Sequence, residues 1–343
     1  MKRLRILLLP FSWVYGSIIF IRNLMYNWGI FKSHSISSKS ICVGNLSVGG
    51  TGKTPHVDLL VNRYIEKGMH VATLSRGYGR STKGIMKVRE DSTAEDVGDE
   101  PLLYKVKHKE KLKVFVAEKR ILGVRHILDK HPNIDLIVLD DAFQHRAVRA
   151  GLNILTTNYS ALFVDDLLMP AGNLRESSSG KNRADIIVVT NCPSQFTDES
   201  KESIIKKLNF PADNIFFSHV EYAAITNVKN TTISQAENIL LVTGIGNSSA
   251  LFQHLNNSAI VVHLKYKDHH RFTRKDIRHI HEKFDTFASR NKIIVTTQKD
   301  FMRLKQFKEV SENEMHWYYQ PIMIKVKEEE KFNARIDEYV IQN

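Results

Sequence analysis

Beyond residue 40 the chain alternates between short apolar runs and longer stretches in which apolar positions recur every three or four residues. The runs SICVGNL, MHVATLS, KVFVAE, IDLIVLDD, LNILTT and ADIIVVTN are strand-length and rich in β-branched residues, so they predict buried strands. Between them, positions 54–67 and 119–130 keep helical spacing, and Gly68 stops the first. Strands without a polar face, alternating with helices, predict a doubly wound, mainly parallel α/β sheet. Near residue 215 the rhythm changes. NIFFSHVEYAAITNV reads as a longer extended segment, and the polar KNTTISQAEN follows it. A second alternation then begins with ILLVTGIGN, AIVVHL, a helix over 274–283, KIIVTTQKD and finally MHWYYQPIMIKV. The division predicted is an N-terminal helix over 1–35, a larger α/β domain over 36–226 and a smaller α/β domain over 227–343. The two longer extended segments are candidates to pair as the connection between domains.

The first forty residues follow another pattern. Positions 6–21, ILLLPFSWVYGSIIFI, carry no charge, and Leu4, Leu8, Phe11, Tyr15 and Ile18 fall near one face at helical spacing, with Leu7 and Val14 beside them. Lys2, Arg3, Arg5, Arg22, Lys32 and Lys39 accompany this run, and no acidic residue precedes Asp58. This segment supplies about half of a net charge of +12. Basic flanks, with Trp13, Trp28, Tyr15 and Tyr26, suit a lipid headgroup region. The run is shorter than the ~20 residues that span a bilayer, and Pro10 interrupts it, so it predicts an amphipathic helix lying in or dipping into a membrane face. No small-residue cleavage site follows it, against a signal peptide. An excess of positive charge beside an apolar helix favours an anionic membrane over nucleic acid as partner. Cys42 and Cys192 allow neither a disulfide framework nor a zinc spacing, which favours a reducing compartment.

Chemistry first enters at Ser47, Val48, Gly49, Gly50, Thr51, Gly52, Lys53 and Thr54. This stretch ends as a phosphate-binding loop should, in Gly-Lys-Thr, although Ser47 stands where the usual pattern has glycine. A predicted strand precedes it and a predicted helix follows, the context the motif requires. The glycines let successive N–H groups turn towards phosphate oxygens, and the helix N-terminus adds its dipole. Lys53 would reach the β- and γ-phosphates of a nucleotide, and the Thr54 hydroxyl would hold Mg2+. A second candidate is the pair Asp140 and Asp141, at the carboxyl end of a predicted strand, where ligands of α/β sheets bind. Adjacent residues on a strand point to opposite sides, so the two predict different jobs. Asp99 and Glu100, just before Pro101, fit a helix cap as well as a site. Asp268, His269 and His270 lie together, and spacing alone does not choose between ligands and solvated side chains.

Taken in order, VGNLSVGGTGKTP, SRGYGR, GDEP, LDDAFQHR, PAGNLRE, VTGIGN, KDHHRF and TQKD closely resemble the tetraacyldisaccharide 4′-kinase family, the lipid A kinases, from the N-terminal helix to about Leu304. The resemblance implies a P-loop NTPase-like three-layer α/β/α core, a smaller second α/β/α domain and a β-ribbon joining them. It implies ATP with Mg2+, and phosphorylation of the 4′-hydroxyl of an acylated glucosamine disaccharide 1-phosphate, peripherally at the cytoplasmic face of the bacterial inner membrane. No obligate protein partner is implied. It also implies roles. Asp99 is the general base, paired with His269 or His270, and Asp140 and Asp141 handle Mg2+ and neighbouring contacts. Arg76, Glu100, Arg120, His145, Arg175 and Glu176 match motif positions near the phosphates or the acceptor. Two departures stand out: Ala142 replaces the glycine that usually follows the double aspartate, and Gln298 replaces a frequent glutamate. A membrane-bound switch NTPase acting through a protein partner is the rival reading. The dimeric switch class carries an extra signature lysine, and its position here is Val48.

Overall fold

The computed structural model describes residues 5–193, 195–227, 229, 231–233, 236–312 and 316–341. Lys2, Arg3 and Leu4 lie outside them, as do Val228 at the end of the first longer extended segment, Asn230, Ser234 and Gln235 of the polar segment and Met315 of the last extended one. Among the described residues the larger sheet has nine strands. Its central strand, Lys39–Asn45, lies between Leu136–Asp140 and Leu152–Asn158 and is parallel to both. Val71–Ser75 and Leu112–Val116 extend the sheet on one side, Ile186–Thr190 and Ile215–Tyr222 on the other, all in parallel. The chain therefore reverses its winding at Lys39–Asn45, and the loop leaving that strand opens into the crevice where ligands of such sheets bind.

Alternating side chains of the strands feed two cores. Ile41 and Val43 join Val57, Leu60, Val61 and Tyr64 of the helix Lys53–Glu66 on one face. Cys42, Leu74 and Ile137 join Val124 and Ile127 of the helix Arg120–Lys130 on the other. Three layers result. Among the described residues the second sheet has six strands, centred on the parallel strands Lys292–Thr297 and Trp317–Gln320, with Asn238–Thr243 parallel on the other side of Lys292–Thr297. Its face bearing Leu240, Val242 and Ile294 belongs to the same buried cluster as Leu102 and Tyr104 of the helix Asp99–His108.

The two extended segments do pair. Ile215–Tyr222 runs antiparallel to Ile322–Val326 in the first sheet, and Thr226 and Asn227 face Tyr319 and Tyr318 in the second. This continuous two-stranded ribbon links the sheets. It also corrects the expected extent of the second unit. The chain does not stay there to residue 343: Ile322–Val326 forms the edge of the first sheet, and the helix Glu329–Val340 packs Phe332, Ile336 and Val340 into its core.

The N-terminal helix Leu9–Asn27, preceded by a turn of 3-10 helix, docks on the loops that leave the first sheet. The face it leaves exposed differs from the predicted apolar face. Tyr15 turns inward and its hydroxyl donates to Arg175 O (2.7 Å), while Ser12 Oγ donates to Leu168 O (3.0 Å). Gly16 permits the approach, since a Cβ there would lie 2.7 Å from Leu168 Cδ1. Leu7, Phe11, Val14, Ile18 and Ile21 form the exposed stripe instead, with Trp13 and Phe20 beside it.

Candidate active site

The phosphate loop is held from beneath by buried hydroxyls. Asn45 Nδ2 donates to Thr51 Oγ1 (2.8 Å), Thr51 Oγ1 shares a hydrogen bond with Thr156 Oγ1 (2.9 Å), and Thr190 Oγ1 donates to Thr51 O (3.0 Å). Gly52 caps the helix Lys53–Glu66 at φ 75°, in the left-handed region that favours glycine. Ser47 forms an isolated bridge to Leu174, and Val48 N donates to Asn173 O (2.8 Å). The serine at the start of the motif is thus absorbed into a contact with the 170s loop.

The helix Asp99–His108 faces this loop. Thr54 Oγ1 donates to Glu100 Oε1 (2.8 Å), which puts Glu100 beside the loop hydroxyl expected at the metal. One turn on, the Tyr104 hydroxyl donates to Asp140 Oδ2 (2.9 Å). Asp140 is fully buried and its Oδ1 has no partner. Burial, then the nearby Glu100 and Asp141 carboxylates, push its pKa up to about 7. Asp141 turns the other way, at φ 50°. Both its oxygens accept from Arg175 Nη1 (2.9 and 3.0 Å), and Lys53 Nζ lies 3.7 Å from Oδ1. Burial alone would raise the Asp141 pKa, but the Lys53 and Arg175 charges outweigh it and hold the group below the usual carboxylate range.

Asp99 has another environment. It is nearly buried, and its Oδ1 accepts from its own helix at Glu100 N (2.9 Å). Its Oδ2 meets His269 Nδ1 (3.2 Å) from the second unit. Lys299 Nζ (4.0 Å) and Arg303 Nε (3.5 Å) approach the same oxygen from the helix Gln298–Leu304. Burial would lift its pKa, yet the histidine hydrogen bond and the two cations hold it down, so the carboxylate is ionised at neutral pH. His269 sits at φ 55°, its N–H donating to Gly244 O (3.0 Å), and its ring lies against Tyr78 with centroids 4.9 Å apart. His270 points elsewhere, with Nε2 3.2 Å from Asp276 Oδ2 at the start of the next helix. The geometry thus separates the two histidines that spacing left equivalent.

The remaining candidates divide. Arg120 is buried at the start of its helix, donates to Ala117 O (2.7 Å) and leaves Nε without a partner. Burial lowers its pKa to about 10, which leaves it charged and suited to a buried anion. Burial and the charges of Arg120 and Arg76 push His145 down to about 4, leaving a neutral imidazole. Arg76 is exposed close by. Glu176 differs from the expectation of a free substrate contact. Its oxygens accept from Arg183 (2.8 Å each), Gln144 (3.1 Å) and Asn23 (3.3 Å), so it clasps the N-terminal helix to the 140s and 170s loops.

Sequence reasoning passed over Lys299, Arg303 and Tyr78. Lys299 and Tyr78 lie inside motifs noticed for their order, TQKD and SRGYGR, and nothing local marks either side chain as reaching Asp99 or His269. Arg303 carries no local signal at all.

A doubly wound sheet, a phosphate loop at its switch point, and an ionised carboxylate with a histidine partner beside it define a phosphate-loop phosphotransferase. The family model described as Tetraacyldisaccharide-1-P 4′-kinase matches residues 4–341, and the chain belongs to that family. The match includes the segment beyond Leu304. The chain is similar to the tetraacyldisaccharide 4′-kinase of Bacteroides thetaiotaomicron (40% identity, covering 98% of this chain and 93% of that one). It is equally close to that of Flavobacterium johnsoniae (40%, covering 100% and 99%). Among solved structures it is similar to LpxK from Aquifex aeolicus in complex with ATP, with a TM-score of 0.76, 29% identity, and coverage of 98% of this chain and 99% of that one. Membership makes it an ATP-dependent kinase of lipid A biosynthesis with a hydroxyl acceptor, and it selects the kinase over the switch NTPase.

Proposed function

We propose that this chain phosphorylates the 4′-hydroxyl of a tetraacylated glucosamine disaccharide 1-phosphate at the cytoplasmic face of the bacterial inner membrane, with Asp99 as the base. The observation that carries the reading is the Asp99–His269 contact (3.2 Å) one residue from Glu100, which holds the Thr54 hydroxyl. It brings an ionised, histidine-paired carboxylate beside the phosphate loop. ATP lies along residues 47–54, with Lys53 on its terminal phosphates. Asp99 Oδ2 accepts the proton of the sugar hydroxyl as that oxygen attacks the γ-phosphorus and the bond to the β-phosphate oxygen breaks. His269 orients the carboxylate and spreads the charge change. Arg120, Arg175 and Arg76 supply positive charge for phosphate oxygens of either substrate.

The residues present fit Mg2+. The unpartnered Asp140 Oδ1 faces no protein donor, and the Thr54 hydroxyl is nearby on the same side as Glu100. Asp141, with both oxygens on Arg175, fits less well than expected. Among the described residues no group of three or more His, Cys, Asp or Glu side chains forms an all-protein cage, as suits an ion that takes the rest of its shell from phosphate and water. When bound, the ion neutralises charge on the phosphates.

The membrane reading rests on the apolar helix Ile6–Asn27, of whose most apolar 18-residue stretch only 6% is buried. Its exposed stripe and basic neighbours meet an acylated substrate at the interface where that substrate resides.

The test is transfer of label from γ-labelled ATP to the acylated disaccharide 1-phosphate. Wild type is expected to label the lipid, and Asp99→Asn to lower kcat by about 100- to 10,000-fold with nucleotide affinity retained. Absence of labelled lipid with wild type, or unchanged kcat in Asp99→Asn, overturns the reading.

A further inference from the structure

The acidic pair at the start of the helix Asp99–His108 does two jobs. Asp99 meets the histidine, and Glu100 accepts from the loop threonine. One side chain touches both jobs. Lys299 Nζ lies 3.0 Å from Glu100 Oε1, 4.0 Å from Asp99 Oδ2 and 3.5 Å from His269 Nε2. It comes from the helix Gln298–Leu304, which follows the inner strand Lys292–Thr297 of the second sheet, so these contacts cross between the two units. That helix is rigidly seated. Asp300, fully buried, accepts from Gly244 N (2.9 Å) and Thr297 Oγ1 (2.8 Å) and pairs with Arg303. Arg303 in turn donates to His270 O and Gly244 O (3.0 Å each) and flanks Asp99. The lysine is therefore aimed by a fixed support, not by its own flexible stem.

We infer that Lys299 is a positioning residue that bridges Glu100, Asp99 and His269, assembling the base and the loop-side carboxylate together when the second unit packs against the first. The inference rests on the proposed role of Asp99. Without a cation between them, two adjacent carboxylates in a nearly buried corner repel, and Glu100 can leave the Thr54 hydroxyl. The ammonium removes that repulsion and sits against the imidazole edge opposite the Asp99 contact. Its position beside His269 Nε2 also favours the orientation in which Nδ1 faces the aspartate. The charged and titratable groups around it are Asp99, Glu100, Asp268, His269 and Arg303. Among the described residues no hydrogen bond or ion pair joins it to the loop 47–54, which separates its effect from nucleotide binding.

The experiment compares wild type, Lys299→Met and Lys299→Arg in full-length protein, with γ-labelled ATP and the acylated disaccharide 1-phosphate. Lys299→Met keeps the stem and loses the charge. It is expected to lower kcat about 10- to 100-fold with KM for ATP changed less than about threefold. Lys299→Arg restores a cation of similar reach and is expected to recover most of the loss. The cost of Lys299→Met should also shrink when Glu100→Gln is already present, since the repulsion it relieves is gone. Lys299→Met with kcat within about twofold of wild type overturns the inference. So does an equal loss in Lys299→Arg, or additivity with Glu100→Gln. If Lys299→Met does not fold, Lys299→Gln takes its place in the comparison with Lys299→Arg and in the cycle with Glu100→Gln. If wild type transfers no label to the lipid, the reading of the site fails instead, and the two failures are told apart by that lane.

Discussion

Asp140 and Asp141 are neighbours in sequence, yet the crevice gives them opposite surroundings. Asp141 accepts from Arg175 and lies near Lys53, whereas Asp140 is buried with one oxygen on Tyr104 and the other bare. A buried carboxylate with one oxygen left bare costs stability until a cation or substrate arrives. Asp140→Asn is accordingly expected to stabilise the ligand-free protein, by on the order of 1–2 kcal/mol, while cutting turnover by more than about 100-fold. Thermal unfolding in chelator and lipid labelling check the two halves. A destabilised Asn variant would mean the site carries no stored cost. Strand alternation led to the expectation of different jobs for the pair, but the strand ends at Asp140 and Asp141 turns away at φ 50°, so the turn rather than the alternation separates them. The surroundings of Asp99 were not legible in the sequence. His269, Lys299 and Arg303 are separated from it by some 170 residues or more, and only the packing of the helix Gln298–Leu304 on the helix Asp99–His108 brings them together. Family resemblance supplied the histidine but could not choose between the neighbours His269 and His270, of which the first meets Asp99 and the second Asp276.

Among the elements, the strand–loop–helix around residues 39–66 was the most readable, since every residue that defines it is contiguous. The buried strands were nearly as plain, because apolar runs of that length have few other uses. The N-terminal helix was readable as a helix and misread in rotation. Tyr15 looked like part of the apolar stripe, but its hydroxyl finds a backbone acceptor at Arg175, and the small residues Ser12 and Gly16 let that face sit close. The stripe that remains outside leads to a direct prediction. Ile18 is 61% exposed, so Ile18→Glu should leave the melting temperature within about 2 °C of wild type, surface substitutions being nearly neutral. It should weaken binding to anionic phospholipid vesicles by about tenfold or more. Co-sedimentation at fixed salt measures it. Equal binding of the two proteins would assign the stripe to something other than lipid.

The molecule as a whole is closed by its own end. After the second sheet the chain returns through Ile322–Val326, and its last helix lies on the helix that begins at the phosphate loop. No local pattern announced this: the partner strand lies about a hundred residues earlier, and sequence period does not say which sheet a strand will join. The contact is polar at its rim. Asp337 accepts from Arg63 (2.5 Å), Lys67 (2.6 Å) and the Tyr64 hydroxyl (2.9 Å). Burial would raise its pKa, but these hydrogen bonds prevail and hold the carboxyl below its ordinary value. Its folded pKa is thus depressed relative to the unfolded chain. The stability it contributes is full above the unfolded value near ~4 and is lost as pH falls through the folded one. Asp337→Asn should therefore cost about 1–3 kcal/mol at pH 7, through three charge-assisted or hydroxyl hydrogen bonds weakened together. The difference from wild type should hold steady between pH 6 and 8 and narrow below about pH 4. Urea unfolding across that range measures it. A difference that stays constant into acid would mean the aspartate acts by shape alone, and no difference at neutral pH would mean the last helix is held by Phe332, Ile336 and Val340 without it.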